Sequence, residues 1–160
     1  MIELHADLWD TAFERGGSVV VTTNQVVNKN GLAVMGKGCA KECADRYPAV
    51  PALLAALYHA YSPGIPIYLG SITEREHYSP GHWGPAGAIQ LWSLPVKLHW
   101  KDKAAIELIR HSIEFLTKRC DLAYPVVLPR PGCGAGGLSW DEVRPVIAPA
   151  LDDRFIVVGY

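Results

Sequence analysis

The sequence predicts an α/β fold of three layers, a central mixed sheet with helices on both faces. Three observations carry this. The run Ser18-Val19-Val20-Val21-Thr22-Thr23 is β-branched and does not alternate with charge, as expected of a strand buried on both sides. Between Asp102 and Arg119, apolar residues recur at Ile106, Ile109, Ile113 and Leu116 with charges on the opposite face, the pattern of a helix packed on a sheet. Strand-like and helix-like stretches alternate without internal repeat or low-complexity tract, so residues 1–160 are expected to form one domain.

The elements follow in order. Ile2 to Ala6 is a short strand, and the turn Arg15-Gly16-Gly17 precedes the strand Ser18 to Thr23. Lys37 to Tyr47 is helical until Pro48 stops it, and Pro51 to Ala60, rich in Ala and Leu, is a second helix. Ile65 to Ile72 and Ala88 to Val96 are strand-like, joined through the Pro/Gly-rich stretch Ser79 to Pro85 as a long hairpin connection. The helix Asp102 to Arg119 follows, then a strand from Tyr124 to Leu128 that leads into glycines. Ser139-Trp140-Asp141-Glu142 has the form of a capping box, opening a helix with Val143, Val146, Ile147 and Leu151 on one face, although Pro145 and Pro149 interrupt it. Phe155 to Val158 is the last strand.

The chain is 49% hydrophobic and 19% charged, a soluble globular composition. Fifteen basic residues against sixteen acidic ones leave a formal charge of −1, so nothing global attracts phosphate backbones or anionic membranes, and a polyanion must be handled locally. No apolar run approaches the roughly 20 residues that span a bilayer, and MIELHADLWD lacks a signal peptide's basic start and apolar stretch; a cytoplasmic location is expected. Cys39, Cys43, Cys120 and Cys133 form no CxxC pair. Cys39 and Cys43 can share a helix face, but no His or Cys completes a tetrahedral set, and the six histidines are scattered. Neither a metal nor a cofactor is expected.

Two glycine-rich segments stand out, Gly31 to Ala40 and Pro131 to Leu138, each placed between a strand and a helix. Glycines permit positive φ and close backbone approach, so successive N–H groups can converge on an anion at a helix N-terminus. Neither is a Walker loop or a dinucleotide-fold GxGxxG. A single such cluster reads equally well as a turn. Two at equivalent strand ends favour gripping a diphosphate.

Thr22-Thr23-Asn24, the Val34-Met35-Gly36-Lys37-Gly38 run and the segment Leu128 to Trp140 resemble the macrodomain family. Within it they are similar to the branch containing terminal ADP-ribose protein glycohydrolase and the macrodomain antitoxins that remove ADP-ribose from DNA. The resemblance covers essentially the whole chain. It implies that Asp7 accepts a hydrogen bond from the adenine amino group and that Leu8 contributes backbone. It also implies that Met35, Gly36, Lys37, Gly38 and Cys39 form one phosphate loop, and Gly132, Cys133, Gly134, Ala135, Gly136, Gly137 and Leu138 the other. Contact there is mostly through backbone, so the Lys37 side chain is optional.

Asn24 resembles the second Asn of the family's Asn-Ala-Ala-Asn stretch, which implies a place facing the distal ribose, while Val21 stands where the first would be. Lys97 resembles the branch's lysine at the distal ribose, acting as nucleophile or as an electrostatic aid to the leaving group. Asn24 and Lys97 are thus the catalytic candidates. The aspartate that accompanies this lysine in the human-type pattern is replaced by Gly136, as in the antitoxin-like pattern. Asn28 and Asn30 read as turn residues, and Asp141 as a helix cap. Trp83, Trp92, Trp100 and Trp140 are candidates to stack on adenine or line the distal pocket, with core packing preferred for Trp92 and Trp140. Tyr160 is a candidate cover for the adenosine.

The implied activity is hydrolysis of mono-ADP-ribose from modified proteins, at an acidic side chain. The alternatives are a non-catalytic ADP-ribose reader and a hydrolase acting on ADP-ribosylated DNA. The expected partners are ADP-ribose and mono-ADP-ribosylated proteins, with ADP-ribosylated DNA second, no membrane, and a monomeric chain. Near-zero charge places protein ahead of DNA.

Overall fold

A computed structural model describes residues 1–159, so Tyr160 and its suggested role lie outside the described residues. The strands are β1 (Ile2–His5), β2 (Ser18–Thr23), β3 (Ile67–Glu74), β4 (His77–Pro80), β5 (Ile89–Pro95), β6 (Val126–Pro129) and β7 (Phe155–Gly159). They form one seven-stranded sheet in the order β1-β7-β6-β2-β5-β3-β4. The first five in that order run parallel, while β3 is antiparallel to β5 and β4 antiparallel to β3. The sheet is therefore mixed, as the sequence predicts.

The helices are α1 (Leu8–Arg15), α2 (Gly38–Arg46), α3 (Val50–Ala60), α4 (Ile106–Thr117) and α5 (Trp140–Ile147). Because successive strand side chains point to opposite faces, the core divides in two. Val19 and Val21 of β2, with Ile156 and Val158 of β7, join Trp9, Cys43, Tyr47 and Leu54 from the α1–α3 side. Val20, with Phe155 and Val157, joins Ile109, Ile113, Leu116, Val143 and Ile147 of α4 and α5. Three of the four apolar positions that define α4 are fully buried, which is why its period is legible.

Two elements differ from expectation. Leu8 to Arg15 is a helix, with Asp7 as its cap: Asp7 Oδ1 accepts from the N–H groups of Trp9 and Asp10, both at 2.9 Å. Its two turns bury Leu8, Trp9, Thr11 and Ala12, and Gly16 at φ 72° ends it. The hairpin connection also contains β4, whose close approach to β3 depends on Gly70: a Cβ there would lie 2.3 Å from the Ser79 carbonyl.

The helix expected from Asp102 begins later, at Ile106, because residues 97–103 are folded into a turn at the strand ends. Among the described residues no helix is long and apolar enough to cross a membrane.

Candidate functional site

Five parallel strands end at one edge of the sheet, the position where open α/β sheets hold ligands. A cleft of about 1110 Å³ opens there. It is lined by Leu8 after β1, Thr22 to Asn24 at the end of β2, Val96 and Lys97 after β5, Pro129 and Arg130 at the end of β6, and Val158 and Gly159 of β7. Both glycine segments reach it. Of the residues singled out from sequence, Asn24, Lys97, Leu8, the whole run Met35 to Cys39, and Gly132 to Gly136 with Leu138 line this space. Asp7 and Gly137 do not; Asp7 sits at the head of α1, and Gly137 turns the chain toward α5 with φ 76°.

The first loop enters α2 without a side-chain cap. Lys37 occupies the capping position in an extended conformation and offers no acceptor to the first turn. Among the described residues no side chain caps the first N–H groups of α2, so that end keeps them and its partial positive charge for an anion. Cys39 is fastened behind it: its Sγ lies 3.4 Å from the Thr22 N–H and 3.3 Å from Thr22 Oγ1, and burial pushes its thiol pKa up. The thiol braces α2 against β2, so what this loop offers the cleft is backbone.

The second loop works differently. The helix behind it, α5, is closed by its own capping box, with Ser139 Oγ accepting from Glu142 N–H and Glu142 Oε2 accepting from Ser139 N–H. The capping box read from sequence is present, so one open helix end faces a loop whose own helix is closed. That loop is pinned by Cys133 N–H to the Arg130 carbonyl, Gly137 N–H to Gly134, Leu138 N–H to Gly132 and Ala104 N–H to Gly136. The intervening N–H groups of Gly134, Ala135 and Gly136 donate to no protein acceptor among the described residues. Close packing leaves no room at Gly136 for the carboxylate of the human-type pattern, since a Cβ would lie 2.5 Å from the Gly132 carbonyl oxygen and 2.8 Å from Ala104 Cβ.

Lys97 spans the gap between β5 and this loop. Its Nζ donates to the carbonyls of Trp100 (3.1 Å), Asp102 (3.2 Å) and Ala135 (3.4 Å). Three carbonyl oxygens around one nitrogen suit an ammonium, with three N–H donors and no lone pair. This geometry favours a fixed cation over an attacking amine.

Asn24 is buried at 8% exposure, and both ends of its amide bind backbone: Nδ2 donates to the Val34 carbonyl at 3.0 Å, and Oδ1 accepts from Val26 N–H at 2.9 Å. Its own carbonyl accepts from the Tyr58 hydroxyl. Asn24 therefore holds the start of the first loop in place. Asn24→Ala is expected to cost about 1–3 kcal/mol of folding stability, the penalty for stranding buried polar groups, read as a lower urea midpoint. An unchanged midpoint would show that the loop does not depend on it.

Arg130, Lys101, Asp102 and Glu42 line the cleft without a site role in the sequence reading, beside Trp100 and Trp140, which were candidates there. Arg130 places its guanidinium 5.2 Å from the centre of the Trp140 ring. Trp140 is only partly packed in the core and also lines the cleft; its indole N–H donates to Glu3 at 2.8 Å, and that bond, with Arg144, holds the Glu3 carboxyl below its ordinary pKa. Trp100, Lys101 and Asp102 form one lip, and Glu42, which accepts from the Trp9 indole at 3.0 Å, stands on another wall. Trp92 is fully buried, as preferred, while Trp83 stacks on Tyr68 at 3.8 Å outside the cleft. Four basic side chains, Lys37, Lys97, Lys101 and Arg130, line the cleft against two acidic ones, Glu42 and Asp102.

The chain matches no family model. It is 28% identical over 147 residues to a Thermus aquaticus protein named DNA ADP-ribosyl glycohydrolase, covering 88% of this chain and 37% of that protein. The macrodomain of Mycobacterium tuberculosis DarG superimposes with a TM-score of 0.76 at 21% identity, over 99% of this chain and 97% of the other. Thermosipho africanus DarTG in complex with ADP-ribose gives 0.75 at 20% identity, over 98% of this chain and 40% of the other. The chain thus spans well under half the length of the curated relative and of DarTG. Superimposed over nearly all its length on DarG macrodomain structures, this chain has the macrodomain fold.

Proposed function

We propose that the cleft binds ADP-ribose and that the chain hydrolyses the bond joining it to DNA. The observation that carries this reading is the pairing of an uncapped helix end with a rigid loop of unpaired N–H groups at the parallel strand ends, in a fold whose curated relative is named for DNA. The protein-linked ester placed first from sequence gains no support from the comparisons; the DNA alternative does. The charge argument that ranked protein first also weakens, because basic side chains outnumber acidic ones at the cleft itself.

In this reading the diphosphate lies between the α2 N-terminus and the amides of Gly134 to Gly136. Adenine is assigned to the β1 side, where Asp7 heads α1 and Leu8 lines the wall. The distal ribose then faces Lys97, whose position is set by the same loop that holds the phosphate. Water adds at C1 of the distal ribose, the bond from C1 to the DNA group breaks, and the proton given up by water goes to the departing group. Lys97 stabilises the charge that develops as that group leaves, and the loops hold C1 in place for attack.

The test is direct. The protein is incubated separately with ADP-ribosylated single-stranded DNA and with carboxylate-linked mono-ADP-ribosylated protein, and free ADP-ribose is followed by chromatography. Release from DNA is expected. Release from protein alone would restore the first ranking, and tight binding with no release from either would leave a reader.

A further inference from the structure

We propose that Trp100 is the platform on which the DNA base carrying the ADP-ribose stacks, so that the lip Leu98 to Lys101 reads single-stranded nucleic acid next to the distal ribose. This rests on the DNA reading above and deepens it.

The lip is an ordered turn that presents a half-exposed indole. Lys97 Nζ holds the Trp100 and Asp102 carbonyls, the Lys101 N–H donates to His99 Nδ1 at 3.1 Å, and the Asp102 N–H donates to the His99 carbonyl at 3.1 Å. At its base, the Gln25 N–H donates to the Leu98 carbonyl, tying the turn to the end of β2. A backbone so firmly held could have turned its tryptophan inward. Instead Trp100 is 49% exposed and lines the mouth of the cleft, beside an exposed Leu98. Trp83, the other widely exposed indole, already has a stacked partner in Tyr68 and stands away from the cleft.

The neighbours of Trp100 suit a nucleotide. His99 is stacked, offset, against it, with ring centres 5.6 Å apart and planes inclined by 25°, which helps fix the orientation of the indole. Lys101 is exposed and rests its ammonium 5.1 Å from the ring centre. Among the described residues the ring is the one partner of that cation, so an incoming base displaces it, and the freed ammonium is then beside the phosphate flanking that base. An acidic peptide would use the lysine but leave the indole unused. An unstacked base uses both.

The geometry also relates this lip to the chemistry. Trp100 is three residues from Lys97, and its carbonyl is one of the Lys97 acceptors, so whatever stacks on the indole lies next to the ammonium that faces the distal ribose in the proposed function. A base bonded to C1 would meet that requirement without leaving the cleft.

The experiment compares wild type, Trp100→Ala and Trp100→Phe on two ligands: a single-stranded oligonucleotide bearing one ADP-ribosylated base, assayed for ADP-ribose release, and free ADP-ribose, assayed by calorimetry. For Trp100→Ala, KM for the oligonucleotide is expected to rise about tenfold or more, the range seen when a base loses an aromatic partner, with ADP-ribose affinity within about twofold of wild type. Trp100→Phe should recover most of the loss, because a phenyl ring still stacks. An unchanged KM in Trp100→Ala would overturn the proposal, and so would an equal loss of affinity for free ADP-ribose. A wild-type protein that binds ADP-ribose but leaves the oligonucleotide intact would instead overturn the DNA reading, and this inference with it.

Discussion

Lys97→Ala should lower kcat for ADP-ribose release by about 100-fold or more while changing ADP-ribose affinity only a few-fold. The magnitude is that of removing a preorganised charge from a developing anion, roughly 10² to 10³ in rate. The asymmetry between rate and affinity follows from where the ammonium is held. It binds three carbonyls of the protein itself, at 3.1, 3.2 and 3.4 Å, so its charge is present whether or not a ligand is bound. Lys97→Arg should recover little, because a planar guanidinium cannot direct three donors at three carbonyls gathered around a tetrahedral nitrogen. Stopped assays for kcat and calorimetry for affinity separate the outcomes. Equal losses in both would show that the lysine only props the loop, and unchanged kcat would remove it from the chemistry.

Gly136→Asp should abolish measurable ADP-ribose binding and lower stability by about 1–3 kcal/mol, the usual cost of overpacking. The substitution supplies the carboxylate of the human-type pattern, yet it cannot be accommodated. The new Cβ would meet the Gly132 carbonyl oxygen at 2.5 Å and the Gly132 Cα at 2.8 Å, both backbone atoms that no rotamer change can move. Gly136 is also anchored by its own carbonyl, which accepts from Ala104 N–H at 2.8 Å, so relief of the clash must displace the loop. Gly134→Ala is the control: a Cβ there meets nothing within 4 Å, so the thermal midpoint should stay near wild type. A folded Gly136→Asp protein with full affinity would mean that this loop does not cradle the phosphate.

The fold was legible wherever burial imposed a pattern. Ser18 to Thr23 was read to the residue because both its faces are covered, and α4 was read because one of its faces is. Helix α1 was not, since two turns offer too few repeats to register and its capping aspartate equally suits a turn or a ligand contact. The short β4 carries no alternation of its own and exists because Gly70 lets the chain approach β3.

The site divides in the same way. Its glycine loops were visible because glycine clusters have few other uses. Arg130 lay inside the quoted segment without a distinguishing neighbour, since its significance comes from Trp140 and Gly159, which reach it only after folding. Asp102 was read as the start of a helix, and only the carbonyls gathered around Lys97 reveal the turn that holds it instead, with Trp100 at the lip. The internal cap on α5 was legible as a motif, but its consequence, that this helix end is closed to an anion, needed the hydrogen bonds.

Four basic and two acidic side chains around the cleft, in a chain with a formal charge of −1, leave a formal −3 on everything else. The cleft thus carries a local excess of positive charge that the rest of the chain more than offsets. An anion is favoured at this mouth by local charge, while the net charge of the chain gives it no long-range pull. The same balance denies the protein a general grip on nucleic acid. Holding a polyanion therefore falls to the short stretch of surface around the mouth, and the remainder of the chain adds no attraction of its own.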